Sequence, residues 1–279
     1  MARLLRDIDY LRLIRDDVVT QIIESNQQIK LDVEQAAQAE MMSYLAQRYL
    51  VNQVFADTKT FDISATYKGK QLVEFTAVAY DATATYSTDD FVLQGGKIYK
   101  SIAGNVPHAF VLNEWTYICE DKDLFYIHLP YDEYDTMIEY NAGDKVYYNN
   151  YEYTCLIKNK NIPVINTLFW SKGAAYTVTG VYPDDSTKWT KGDNRNQQIV
   201  MYLLDITLYH LHSRINPRNI PDLRKERYDG NNPSQNGGAV AWLKRVASGD
   251  LTADLPQIVA QQGMSIRYGS SAPKQTNTY

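Results

Sequence analysis

The chain has 279 residues, a formal net charge of −5 and a pI near 5.4. That balance argues against a nucleic-acid clamp, which needs a concentrated basic surface. No apolar run approaches the roughly 18 residues of a bilayer span, and the opening MARLLRDIDYLRLIRDD carries charges throughout, unlike a signal peptide. Cys119 and Cys155 form no C-x-x-C pair, so neither a disulfide framework nor a zinc knuckle is expected, and the chain reads as made in a reducing cytoplasm. The length suits two modest domains or one domain with a large insertion.

Residues 1–55 read as helical. In DDVVTQIIES, Asp16 to Ser25, charged and aliphatic residues alternate at helical spacing. Asp32 with Gln35 three residues on has the form of a capping box opening a second helix. Along it Ala37, Met41, Tyr44, Leu45 and Arg48 share one face, the pattern of a core stripe.

From Thr60 to about Asp193 helical spacing gives way to short β-branched and aromatic runs between Gly, Asn and Asp turns. The chain holds 23 tyrosines, many of them in this β-rich middle. YSTDDFVLQGGKIYKSI from Tyr86 matches YNAGDKVYYNNYEYTCL from Tyr140, with Tyr86/Tyr140, Asp90/Asp144, Val92/Val146 and Tyr99/Tyr153 at one offset (140 − 86 = 54). Gly95-Gly96 falls on Asn149-Asn150, and both pairs suit the positive-φ positions of a tight hairpin. Trp115 and Trp170 follow the two copies. The segment is an internal duplication of a small hairpin module, and Trp189-Thr190-Lys191-Gly192-Asp193 reads as the remnant of a third copy.

From Asn196 the helical texture returns. Ile199, Val200, Leu203, Leu204, Ile206, Leu208 and Leu211 predict a helix apolar almost all round, hence central. Pro217 and Pro221 punctuate a loop, PDLRKERYDG starts a helix that GNNPSQNGG interrupts, and AVAWLKRVASG forms another closed by Gly249. The expected fold is α+β: a helical domain from residues 1–60 and 195–261, and an all-β insertion, 61–194, with repeats at about 85–118 and 139–172. Residues 262–279 form a polar arm that cannot pack a core alone. In it Ile266, Arg267, Tyr268 and Tyr279 are anchors for docking on a neighbouring subunit or partner.

Two histidines, His210 and His212, lie in the apolar helix. Adjacent helical positions turn by 100°, so these two point about 200° apart and cannot ligate one metal. His108 and His128 sit in the β region without a carboxylate-rich motif. Asp205 is the odder residue, because an unpaired carboxylate inside a buried helix is costly. A general base and a structural ion pair both fit it; the ion pair is favoured, with Arg48 as candidate partner. No nucleophile elbow, P-loop or dinucleotide fingerprint occurs, so no enzymatic activity, cofactor or metal is expected.

The order of the pieces SYLAQRY, MYLLDITLYHLHSR, IPDLRKERYD and AVAWLKRVASGDL, followed by a polar tail with IRYGS, resembles the head–tail adaptor (connector) family of tailed bacteriophages. The resemblance covers roughly residues 1–55 and 196–279 and is most specific at 199–248. The Tyr- and Asn-rich composition suits a phage of a Bacteroides-type host, including the crAss-like group. Two features depart from the family: about 130 residues separate the helical parts, and GNNPSQNGG breaks the helix that should run from RYD into AVAWLK. The resemblance implies a homo-oligomeric ring, commonly a dodecamer, at the head–tail junction of the virion. Such a ring binds the portal above and the tail or further ring proteins below, and passes DNA without sequence-specific binding or any membrane. The two repeats resemble small chitinase-type carbohydrate-binding modules. That likeness makes Trp115 and Trp170 candidates for stacking on sugar rings, and a glycan-binding attachment protein the alternative function. The competing reading places both tryptophans in the core of a module too small to hold together otherwise.

Overall fold

The computed structural model describes residues 3–104, 106–215, 217–230 and 237–258. It is a mixed helix-and-strand fold with several small sheets. Seven α-helices are described: α1 (Asp7–Tyr10), α2 (Asp16–Ile22), α3 (Gln27–Leu45), α4 (Val51–Val54), α5 (Gln197–Ile215), α6 (Asp222–Asp229) and α7 (Ala239–Ser248). The strands all lie between α4 and α5.

One apolar core joins both ends of the chain. Leu4, Tyr10, Ile23, Ala37, Met41, Leu45 and Phe55 pack with Ile199, Leu203, Ile206, Leu211, Leu243 and Val246. Helix α5 runs through it and buries nine residues, of which only Asp205 and Thr207 are polar. Thr207 settles its hydroxyl locally, donating to the Leu203 carbonyl at 2.7 Å. Helix α7 ends at Gly249, whose φ of 90° is a left-handed cap that a side chain would strain.

Helix α3 starts earlier than the capping box suggested. Asn26 is its N-cap, accepting from the Gln28 amide, so Asp32 lies inside the helix and accepts from the Gln28 side chain at 2.7 Å. The extended backbone of Asn26 frees its side chain to satisfy an orphan N–H nearly two turns sooner. Ala37, Met41 and Leu45 are fully buried as the stripe requires, whereas Arg48 falls beyond the helix end and is exposed.

The β region contains three copies of one module, two of them inserted into the third. Each copy is a three-stranded antiparallel meander. The first inserted module uses Phe91–Gln94, Lys97–Ser101 and Trp115–Glu120; the second uses Lys145–Tyr148, Tyr151–Cys155 and Trp170–Ala175. The outer module uses Leu72–Phe75, Asp123–Ile127 and Trp189–Lys191. The first inserted module thus occupies the outer hairpin turn, and the second interrupts the return to Trp189. Registers match: Trp115 pairs with Ser101, Trp170 with Cys155 and Trp189 with Ile127. Gly95-Gly96 and Asn149-Asn150 turn the two inserted hairpins with positive φ at all four positions. Cys119 and Cys155 are free and buried.

Candidate functional site

The candidate sugar-stacking residues come first. Trp115 and Trp170 open the third strand of their modules, and both are buried, at 4% and 1% exposure. Trp170 is packed edge-on by Tyr134 and Tyr140, at centroid distances of 5.6 and 5.2 Å. Trp115 has the same two neighbours in Tyr80 and Tyr86, at 5.7 and 5.4 Å, and Phe110 stacked on it. Neither indole offers a free face to a pyranose. The stacking assignment is therefore replaced by a core role, because a module this small needs its largest ring inside.

The same nest recurs in the outer module, where Trp189 meets Phe61 and Tyr67 at 5.8 and 5.3 Å. Each nest rests on an Asp–Tyr corner of fixed spacing: Asp62/Tyr67, Asp81/Tyr86 and Asp135/Tyr140. In every case the tyrosine hydroxyl accepts from the aspartate backbone N–H and donates to the aspartate carbonyl. The aspartate side chain meanwhile closes an Asx turn two residues on.

The second candidate is Asp205. It is buried on α5, and Arg48 is not its partner. The Nε of Arg227, on α6, lies 3.2 Å from its Oδ1. The alignment is too poor for a hydrogen bond, so the contact is mainly coulombic. The Arg48 guanidinium lies instead beside Gly249, past the end of α7. The pairing changes because α6 folds back along α5 and covers the Asp205 face. Burial pushes the Asp205 carboxyl up to about 6, against the opposing pull of Arg227 and Arg224.

Around Asp205 lies a polar seam joining α3, α5 and α6. Arg224 donates to the Leu13 carbonyl at 3.1 Å, and burial together with nearby Arg227 lowers its pKa. Burial and then Arg224 also hold His212 below the ordinary histidine value, favouring its neutral form. His210, whose ring points elsewhere, has Nε2 2.8 Å from Oε2 of Glu40. The other Glu40 oxygen accepts from the Tyr228 hydroxyl at 2.8 Å. Tyr228 stacks on Tyr209 with centroids 3.9 Å apart and planes at 3°. Arg224, Arg227 and Tyr228 form an i, i+3, i+4 face of α6, a spacing visible in the sequence that identifies the side facing α5.

This seam joins helices through two arginines, two tyrosines, two histidines and two carboxylates. Among the described residues no group of three or more His, Cys, Asp or Glu side chains is placed to hold a metal ion. Among them, too, no helix is long and apolar enough to cross a membrane. The arm anchors Ile266, Arg267, Tyr268 and Tyr279 lie outside the described residues. No protein-family model and no curated protein sequence matches the chain.

Proposed function

We propose that the protein is a structural component of a tailed-phage virion, a head–tail adaptor that forms a ring between portal and tail. The observation that carries the reading is the single helical core shared by both chain ends, with α3, α5 and α7 packed together. Its sequence order is the one the connector resemblance implies. In this reading the large β insertion is an elaboration rooted between α4 and α5 at the ring's periphery. Ile8 and Leu11 of the N-terminal region, both more than half exposed, offer apolar surface for contact between subunits. The acidic balance suits a channel wall that lets DNA slide, since tight phosphate contacts would slow its passage.

Native mass spectrometry and electron-microscopic class averages of the purified protein, alone and with its portal, test this. Closed rings of many copies, or stoichiometric capture on the portal, support the adaptor. A protein that stays monomeric at all concentrations and ignores the portal is not one.

A further inference from the structure

We propose that residues Arg3–Tyr10 are a clasp that fixes the orientation of the β domain on the helical core. This inference is independent of the adaptor reading. The chain crosses between the two parts twice, after α4 and before α5, and two crossings alone form a hinge. The N-terminal segment bonds to both crossings and also to the β domain itself.

At the first crossing, the Arg3 backbone N–H donates to Asp57 Oδ1 at 3.1 Å, and the Thr58 N–H donates to the Arg3 carbonyl at 3.3 Å. At the second, the Arg195 guanidinium is almost fully buried. It donates to the Leu4 carbonyl at 2.8 Å and grips both oxygens of Asp9 at 2.6 and 3.1 Å, while also binding Asp193. Between them Arg6 reaches outward. Its guanidinium donates to Glu74 Oε2 at 3.0 Å and to the Lys122 carbonyl at 2.8 Å. Glu74 lies on the outer module's first strand, and Lys122 is the residue at which the chain re-enters that module. The clasp is itself held to the helical core, where Arg3 and Tyr10 both bond Glu34 and Lys30 bonds Asp7.

Three fixed points define an orientation where two leave a rotation free. The burial of Asp9 and Arg195 makes the anchoring point stiff, since exposing either charge unpaired is costly. Arg6 is the third point, and it is the one that can be removed without opening the core.

The test uses spin labels on introduced cysteines at exposed Gln47 and Ala82, one in each part; native Cys119 and Cys155 are buried and do not label. Dipolar distance distributions are recorded for the labelled full chain and for it carrying Arg6→Gln or Arg195→Gln. The expected result is one narrow distribution in the parent, at least twofold wider in Arg6→Gln, and wider still in Arg195→Gln. Circular dichroism verifies that each variant stays folded. If Arg195→Gln does not fold, Arg6→Gln alone decides. A folded Arg6→Gln variant with the parent's distribution overturns the clasp, and so does a parent distribution that is already broad.

Discussion

Trp170 donates its indole N–H to the carbonyl of Ile162, eight residues upstream, at 2.9 Å. Trp189 repeats this with Val181 at 3.0 Å. The Trp115 indole N–H, also buried, has no acceptor among the described residues. Replacement by phenylalanine should therefore separate the sites. Trp170→Phe loses a hydrogen bond, although the Ile162 carbonyl keeps the Tyr134 hydroxyl as a donor at 3.0 Å, and should cost about 1 kcal/mol more than Trp115→Phe. Urea unfolding of both variants gives the comparison, and equal losses would show that the bond contributes nothing.

The Asp–Tyr corner gives a second prediction. Tyr140→Phe keeps the ring against Trp170 but removes the hydroxyl that both accepts from and donates to the Asp135 backbone. A loss of about 1–2 kcal/mol is expected, with the ring stacking retained. Thermal denaturation followed by near-ultraviolet circular dichroism reports both quantities together.

Asp205 should impose a pH dependence. Its folded pKa of about 6 lies above the ordinary aspartate value, so the folded state binds the proton more tightly. Its contribution to stability is full below pH ~4 and is lost as the pH rises through 6. Asp205→Asn, which cannot ionise, should gain on the wild type between pH 4 and 7 by on the order of 1–2 kcal/mol, after allowance for solvent screening. Parallel urea titrations across that range check the sign; a difference that stays flat or falls refutes it.

Asp9→Asn should be among the most damaging single polar changes. The substitution leaves the Arg195 guanidinium buried with half its compensation gone, and losing one partner of such a pair costs about 3–5 kcal/mol. By contrast Arg15→Ala, at an exposed pair with Asp17, should stay within about 0.5 kcal/mol. Chemical denaturation of the two variants side by side measures the ratio.

The modules also preserve a cross-strand contact while exchanging the residues that make it. Lys97 lies over Tyr117 at 5.7 Å in the first inserted module, and Lys172 lies over Tyr151 at 3.4 Å in the second. At the same two positions the outer module pairs Lys191 with Asp123 at 2.6 Å. Lys172→Met should cost about 0.5–1 kcal/mol, more than Lys97→Met, in proportion to the closer approach. Stabilities that rank the other way would assign the contact no role.

Periodicity alone located α5, α7 with its Gly249 cap, the helical ends and the β middle, because burial on one face or all round leaves a direct imprint on residue spacing. Both inserted hairpins and their turns were equally legible, since each is contiguous and Tyr-to-Trp spacing is 29 residues in one and 30 in the other. The outer module was visible only as the fragment at Trp189. Its Tyr67 and Trp189 are 122 residues apart, and no local pattern survives two insertions. The partner of Asp205 was likewise out of reach: burial of a carboxylate follows from its helix, but the cation that answers it depends on how α6 folds back. Trp115 and Trp170 were identified as special by sequence, and tertiary packing decided their role, because a ring's exposed or buried face is set by neighbours that the chain brings in from elsewhere.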